Sequence, residues 1–161
     1  MKKTEGSLAL LIAELEADLS ALSDLQEANT RAKNRLDAGA AEDLDYAALG
    51  YTLHNIYNLA ENAFFRIAKH FENNMSAETW HKDLIQRMTL TIEGIRPAVL
   101  DQHSADLLDD LRSFRHVFRN MYRKKLDSKK LLALEADLPE TLEGFRKSLT
   151  GFIDLLKAAG R

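Results

Sequence analysis

The fold is decided by a stretch in the first half of the chain, where residues 49–71 read LGYTLHNIYNLAENAFFRIAKHF. Apolar side chains return there every three or four positions, which is the spacing of one face of an α-helix. The pattern predicts a long amphipathic helix that ends around Asn73-Asn74 and turns one face towards a core. Its inward residues are Leu49, Leu53, Ile56, Tyr57, Ala60, Phe64, Ile67 and Phe71.

The same spacing predicts a helix on each side of this stretch. The earlier helix carries acidic residues opposite its apolar stripe and fades into a loop at residues 37–40. The later helix begins at Ser76, a good N-cap residue, and ends before Pro97. The inward residues are Leu8, Leu11, Ile12, Leu15, Leu19, Leu22 and Leu25 in the earlier helix, and Trp80, Leu84, Met88 and Ile92 or Ile95 in the later one.

Two further helical segments follow. Ser104 or a neighbour is expected to cap a fourth helix, and Asp127 to cap a short fifth segment. Pro139 suits the first helical position of a continuation of that segment. The inward residues are Leu107, Leu111, Phe114, Phe118 and Met121 in the fourth helix, and Leu142, Phe145, Leu149, Phe152, Ile153 and Leu156 after Pro139.

About five helices with short connections predict an all-α antiparallel helical bundle, with one domain over residues 1–161. The chain of 161 residues has only 7 Gly and 2 Pro, too few for the many turns of a sandwich or barrel. No apolar run is long enough to span a membrane and no signal peptide is recognisable. A cytoplasmic protein without a membrane partner is therefore expected.

Composition and motifs exclude most chemistries. The chain has no cysteine, which excludes disulfides, thiol catalysis, iron–sulfur clusters and cysteine-ligated zinc. Glycine-rich phosphate loops, GxGxxG, GxSxG and HExxH are absent. A di-iron site in a helical bundle needs two Glu-x-x-His pairs, and only Glu78 with His81 forms one. No metal and no cofactor is expected.

The fourth helix has an unusual charge distribution. Residues 112–125 contain six basic and no acidic side chains, although the whole chain has a net charge of −3. At about 100° per residue, four of the arginines fall within roughly 80° of each other. Such a row suits the recognition of phosphodiesters, and the alternative is an ordinary solvated face. The four are Arg112, Arg115, Arg119 and Arg123.

Residues 111–122 read LRSFRHVFRNMY and are followed by Leu126-Asp127. This segment resembles the HepT-like branch of the HEPN superfamily. The resemblance extends from about Leu49 onwards, through several shorter motifs that occur in the family's order. These are Leu53-His54-Asn55-Ile56-Tyr57-Asn58 with Glu61, Trp80-His81 with Leu84, Ile95-Arg96-Pro97, and Leu138-Pro139.

The resemblance implies a helical protein that forms a homodimer and acts on RNA. Many HEPN proteins are metal-independent endoribonucleases, and HepT-like members are toxins paired with a minimal nucleotidyltransferase antitoxin. Their signature is an arginine, then four to six residues, then a histidine, with a tyrosine two positions later. Arg115 matches the arginine and Tyr122 the tyrosine. In this family the antitoxin can silence the toxin by AMPylation of that tyrosine, so Tyr122 is the candidate modification site.

The signature histidine is replaced by Asn120, which can bind a phosphate or ribose but cannot transfer protons near neutral pH. Arg115 and Asn120 lie about 140° apart around one helix, so a composite site across a dimer axis is expected. His116, one turn before Asn120, is the alternative proton carrier. The candidate catalytic residues are therefore Arg115, Asn120, His116 and Tyr122, and the candidate RNA-binding residues are Arg112, Arg119 and Arg123.

Residues of the second and third helices also belong to these expectations. Two interpretations of the second helix are open. In one, the same cleft is bordered by Tyr57, Asn58 and Glu61. In the other, Tyr57 is a core residue whose hydroxyl is hydrogen-bonded. Trp80 is expected to anchor the core or a dimer rather than to stack on a base.

Three functions remain open. The first is a ribonuclease toxin with a nucleotidyltransferase antitoxin, for which transfer RNA is a candidate target. The second is a HEPN module without catalysis that binds RNA or a protein, which Asn120 favours. The third is a helical adaptor that docks its basic row onto an acidic partner.

Overall fold

Five helices form the fold in the computed structural model, which describes residues 2–72, 80–120 and 126–160. The described part of the chain contains no strand, only an isolated bridge between Ile92 and Arg96. None of its helices is long and apolar enough to cross a bilayer. The predicted all-α class is confirmed. The helices are α1 (Lys2–Asp37), α2 (Asp43–Glu72), α3 (Trp80–Met88), α4 (Gln102–Arg119) and α5 (Ser128–Ala159).

Side-chain pairs between helices show that neighbours run antiparallel. Along α1 and α2, Asp18 binds Arg66 and, nearer the connecting loop, Arg35 binds Asp45. Along α5, Glu135 binds Asn29 in the second half of α1, and Lys157 near the end of α5 binds Glu16 in the first half of α1. Helix α4 packs on both α2 and α5. The core lies between these four helices, and it brings α4 against the centre of α2.

The inward face of α2 is largely as predicted. Its predicted residues from Leu49 to Ile67 are buried, whereas Phe71 is only partly buried at the end of the helix. Helix α4 is rotated slightly from expectation, since Leu108 is buried and Leu107 and Phe118 are only partly so. Met121 lies outside the described residues.

Helix α3 ends at Met88 and not before Pro97, so the prediction that it continues to Ile92 or Ile95 is wrong. Residues 89–100 form turns, one of which uses Gly94 at a φ of 73°, a value that favours glycine. Ile95 is consequently exposed. Ser76, the predicted cap, lies outside the described residues.

Arg96 holds these turns in place. Its side chain is fully buried and donates hydrogen bonds to the Glu72 carboxylate at 2.5 and 2.9 Å. It also donates to the backbone carbonyls of Arg87, Leu90 and Pro97. Because one buried guanidinium satisfies several carbonyls that helix hydrogen bonds would otherwise satisfy, the chain leaves α3 early.

The helix caps are acidic. Asp101 caps α4 by accepting a hydrogen bond from the Ser104 amide at 2.7 Å, which lowers the pKa of the Asp101 carboxyl. Ser104 itself lies inside the helix, so its neighbour three residues earlier is the cap. Asp127 caps α5 as predicted, accepting from the Lys129 and Lys130 amides.

Helix α5 is continuous through Pro139, and the predicted break there is wrong. A proline inside a helix costs about 3 kcal/mol through the lost hydrogen bond and the ring clash. Leu131 and Leu138 before the proline and Leu142 and Phe145 after it are all buried on one stripe. Each such side chain contributes about 1.5–3 kcal/mol when buried, which outweighs the cost of the proline.

Candidate functional site

A group of polar side chains lies where α4 packs against α2, and we call it the α2–α4 cluster. Helix α2 contributes side chains one turn apart, which places them on one face, and α4 contributes three arginines. Their positions follow from the buried stripes, since the polar residues flank the apolar contacts between the helices. The cluster consists of His54, Tyr57, Asn58 and Glu61 of α2 and Arg112, Arg115 and Arg119 of α4.

Arg115 is held by Glu61. Its Nη1 donates to the two carboxylate oxygens of Glu61 at 3.0 and 2.7 Å, and its guanidinium carbon lies 5.9 Å from the centre of the Tyr57 ring. The Glu61 side chain is 5% exposed and the Arg115 side chain 21% exposed. Nη2 makes no hydrogen bond to a described residue. Arg115 is therefore fixed in place while part of its guanidinium remains open to a ligand.

Tyr57 lies beneath this ion pair. Its side chain is buried, as the alternative of a core residue predicts, but its hydroxyl has no hydrogen-bond partner of normal geometry among the described residues. Burial raises the pKa of the Tyr57 phenol well above its usual range, and the nearby Glu61 carboxylate raises it further. The phenol is consequently un-ionised. Its hydroxyl does not make the hydrogen bond that the sequence analysis expected of a core tyrosine.

His54 also belongs to the cluster, close enough to Arg115 and Arg119 for their charges to act on its ring. Its ring stacks on Phe118 at 5.1 Å, and its Nε2 lies 3.0 Å from Nδ2 of Asn58. Burial lowers the pKa of the imidazole below its ordinary value, and the positive charges of Arg115 and Arg119 lower it further. The negative charge of Glu61 raises the pKa, but its effect is smaller. His54 is therefore a neutral histidine near pH 7.

Three buried polar atoms in this cluster lack hydrogen-bond partners. They are His54 Nδ1, the Tyr57 hydroxyl and Arg115 Nε, and the part of the chain that the structure describes has no others. Leaving one such group unpaired costs about 1–3 kcal/mol, so unpaired groups are rare in folded proteins. All three lie where α4 packs against α2, so the buried unpaired polar atoms of the described chain are concentrated at this helix interface.

The arginine row is less uniformly charged than its sequence suggests. Arg112 binds Asp109 at 2.6 Å and Arg115 binds Glu61, so acids outside the basic window neutralise two of the four arginines. Arg119 is exposed and makes no ion pair with a described residue. The lack of acidic residues within 112–125 therefore does not leave Arg112 and Arg115 without counter-ions. Arg123 lies outside the described residues.

The structure does not bring His116 and Asn120 to Arg115 within one chain. The His116 side chain is exposed and makes no hydrogen bond to a described residue. Asn120 is the C-cap of α4, and its Nδ2 donates to the His116 carbonyl at 2.9 Å. Its amide is thus engaged in ending the helix. Tyr122 lies outside the described residues.

Beyond the cluster, the described residues offer a cleft between two helices but no group of metal ligands. The described residues contain no group of three or more His, Asp or Glu side chains suited to a metal ion. Glu78 lies outside the described residues, as do the side chains of Trp80 and His81. A cleft of about 370 Å³ between α4 and α5 is lined mainly by apolar atoms, and it is separate from the arginines of the cluster.

Sequence reasoning missed the role of His54. The available signal was the spacing of His54, Asn58 and Glu61, which places a histidine on the same helix face as two residues already expected at the cleft. That spacing did not reveal which helix would cover the face. Only the packing of α4 brings Arg115 and Arg119 close to the imidazole.

The sequence matches a family model described as "HepT-like protein" over residues 48–156. The matched segment begins in the first turns of α2 and ends within the last turn of α5. It therefore includes every residue of the α2–α4 cluster. No curated protein and no solved structure gives a significant match to the chain.

Proposed function

The chain belongs to the HepT-like family of the HEPN superfamily, and from this membership we propose that it is an endoribonuclease toxin that cleaves RNA at the α2–α4 cluster without a metal. Transfer RNA is the first substrate to test. The catalytic and RNA-binding roles of the arginines, the dimer and the antitoxin all form part of this proposal.

The observation that carries the proposal is the state of Arg115. A buried carboxylate fixes its Nη1, whereas Nη2 makes no hydrogen bond to a described residue and the side chain is 21% exposed. The exposed part of this guanidinium can donate a charge-assisted hydrogen bond to a phosphate. Exposed Arg119, one turn later on the same face, adds a second positive charge for the adjacent phosphate.

The reaction that fits these groups is transesterification of the RNA backbone. The ribose 2′-hydroxyl loses its proton to a base, and its oxygen attacks the adjacent phosphorus. The bond from phosphorus to the 5′-oxygen breaks, leaving a 2′,3′-cyclic phosphate, and the departing 5′-oxygen takes up a proton to become a hydroxyl. Arg115 stabilises the negative charge that develops on the phosphate oxygens, which is the main service such a site provides.

A homodimer is proposed to complete the site. Asn120 and His116 extend from α4 in directions that do not meet Arg115 of the same chain, so they reach a bound RNA only from a second copy. Arg112, one turn before Arg115, then widens the basic surface, and Arg123 is assigned to RNA binding from the sequence alone. Size-exclusion chromatography with light scattering tests the dimer, and a monomer at micromolar concentration would contradict it.

A minimal nucleotidyltransferase is the proposed antitoxin. It would transfer AMP from ATP to the Tyr122 hydroxyl, releasing pyrophosphate, and the added negative charge would repel RNA next to the arginines. Incubation with such an enzyme and ATP should add one AMP to the wild-type chain and none to Tyr122→Phe. An unchanged mass for the wild type would contradict this part of the proposal.

Cleavage of total transfer RNA in EDTA tests the activity itself. The protein is first checked by mass spectrometry for AMP on Tyr122, and wild type is compared with Arg115→Ala. Arg31→Ala is the matched control, because Arg31 is an exposed arginine of α1 paired with Glu27. We expect cyclic-phosphate ends from wild type and the control and none from Arg115→Ala. Intact RNA with unmodified wild-type protein would refute the ribonuclease proposal.

Asn120 favours a second candidate, a module that binds RNA without cleaving it. Its amide carries no proton to transfer near neutral pH and is engaged by the His116 carbonyl. In that case wild type binds transfer RNA, Arg115→Ala binds more weakly, and no cyclic-phosphate ends form with either protein. The same samples therefore separate the two functions.

A further inference from the structure

We propose that His54 of α2 is the proton acceptor for RNA cleavage, in place of the histidine that Asn120 replaces. This inference rests on the proposed ribonuclease function. It assigns the base to α2, outside the signature segment of α4. The geometry on which it depends is the stacking of the His54 ring on Phe118 of α4 and its contact with Asn58. The charges of Arg115 and Arg119 also act on this ring.

The signature segment itself offers no proton acceptor beside Arg115 of the same chain. Asn120 is chemically unable to serve and caps the end of α4. His116 directly follows Arg115, which turns its side chain about 100° away around the helix. His54 is the histidine that the described structure brings to the guanidinium, because α4 packs against this part of α2.

The hydrogen bond with Asn58 identifies the reactive nitrogen. Asn58 lies one turn after His54, and its Nδ2 is 3.0 Å from His54 Nε2. With the amide donating, Nε2 presents its lone pair and the proton of the neutral ring is on Nδ1. A ribose 2′-hydroxyl that displaces the Asn58 amide would donate to the same lone pair. The Asn58 amide therefore occupies the lone pair of His54 Nε2 until the substrate displaces it.

Phe118 holds the ring in place. The imidazole and the phenyl ring stack at 5.1 Å with an interplanar angle of 27°. The phenyl ring in turn lies against Gly50, where an added Cβ would be 3.1 Å from its atoms. The absence of a side chain at Gly50 is what allows Phe118 to approach α2 and support His54 from one side.

The charges facing His54 suit a base near neutral pH. Arg115 and Arg119 of α4 and Glu61 of α2 are the charged groups that act on it, while Asn58 and Tyr57 beside it are neutral. Burial and the two arginines hold the pKa of the imidazole below its ordinary value of 6.5, despite Glu61. The ring is consequently unprotonated at pH 7, while the same arginines attract the phosphate.

In the proposed step His54 Nε2 takes the proton of the 2′-hydroxyl as the oxygen attacks phosphorus. The electrons of the bond to the 5′-oxygen leave with that oxygen, which receives a proton from water. The products are the cyclic phosphate, the 5′-hydroxyl strand and a protonated His54, which then releases its proton to solvent. Arg115 and Arg119 contact the phosphate throughout and donate no proton.

The experiment compares cleavage of transfer RNA by wild type, His54→Asn and His54→Ala. Loss of a general base lowers the rate by about 10²–10⁴-fold, and we expect both variants to fall in that range. His103→Asn is the matched control, because His103 is an exposed histidine at the other end of α4, bound to Glu140. Thermal unfolding of each variant verifies that it is folded.

Two readouts separate catalysis from a structural role. Added imidazole should restore cleavage to His54→Ala and leave His54→Asn unchanged, since only the smaller side chain leaves room for it. The kcat/KM of wild type should fall as the pH drops through the pKa of His54, below 6.5, and this limb should be missing in His54→Asn.

The experiment distinguishes a wrong assignment of His54 from a failure of the proposed ribonuclease function. If wild type leaves RNA intact, the ribonuclease proposal fails and the role of His54 fails with it. If wild type cleaves and folded His54→Asn cleaves within threefold of it, with the acid limb retained, only the assignment of His54 is overturned. Inactive His54→Ala that imidazole does not rescue also counts against a base at this position.

Discussion

Arg115 on α4 and Glu61 on α2, 54 residues apart in the chain, form an ion pair in which one guanidinium nitrogen binds both carboxylate oxygens. The carboxylate is almost fully buried, so it has little competing solvation by water. The pair joins the two helices that carry the cluster. It also partly neutralises the arginine that the proposed reaction needs, so Glu61 affects both stability and RNA binding.

Glu61→Gln removes this negative charge and keeps the shape of the side chain. We expect the free energy of unfolding to fall by about 1–3 kcal/mol, less than for a fully buried pair because Arg115 is partly exposed. RNA should bind several-fold more tightly, since Arg115 loses its counter-ion. Urea unfolding and filter binding at fixed salt measure the two effects.

Asp109→Asn is the control for Glu61→Gln, because it releases Arg112 from a more exposed pair on the same helix. Its effect on unfolding should stay below about 1 kcal/mol. Equal destabilisation by the two substitutions would show that the buried position of Glu61 has no special effect on stability. Weaker RNA binding by Glu61→Gln would contradict the expected gain from releasing Arg115.

Glu135 should make stability depend on pH. It is buried on α5 and accepts a hydrogen bond from Asn29 at 2.8 Å, and burial nevertheless raises the pKa of its carboxyl above the ordinary value of 4.5. The folded state thus holds this proton more tightly than the unfolded chain. The stabilisation that the protonated Glu135 side chain contributes is fully present below pH 4.5. It is lost as the pH rises through the raised pKa of the folded state.

Glu135→Gln keeps the hydrogen bond from Asn29 without the charge. Relative to wild type it should be more stable at pH 7, and the difference should disappear below pH 4.5. Urea unfolding of both proteins across this range gives the comparison. Glu140→Gln, on the exposed surface of the same helix, tests for unspecific effects of removing an acid. A difference that stays constant with pH would contradict the role of Glu135.

Gly144 allows α5 to lie close to α4. A Cβ at this position would be 2.6 Å from the Ser104 hydroxyl oxygen, which is buried. Gly144→Ala should therefore destabilise the protein by about 1–3 kcal/mol, although helix propensity alone would favour alanine. Thermal or urea unfolding measures the change.

Substitution of Ser104 tests whether its contact with position 144 causes the destabilisation of Gly144→Ala. In Ser104→Ala the nearest remaining side-chain atom is the Cβ, at 3.4 Å, so Gly144→Ala should cost much less in that background. Gly151→Ala, further along α5 with open space around it, should be neutral or stabilising. Equal losses with and without Ser104→Ala would show that backbone effects, not the hydroxyl, account for the change.

Local pattern was sufficient for most of the fold. The stripes of α1, α2 and α5 and the Asp127 cap were predictable, since a 3.6-residue period and a capping side chain depend on neighbours in sequence. The continuity of α5 through Pro139 was not, because it depends on burial against other helices. The early end of α3 was not either, because Glu72, which binds Arg96, belongs to a different helix.

By itself the sequence determined that this chain is a helical bundle of the HepT-like family, with Arg115 and Arg119 on one face of α4. Only the tertiary structure decided that Glu61 neutralises Arg115 and that His54 lies beside it. Periodicity tells which side of a helix is buried, because that depends on local geometry. It cannot tell which distant residue covers that side, since that choice is made by the packing of whole helices.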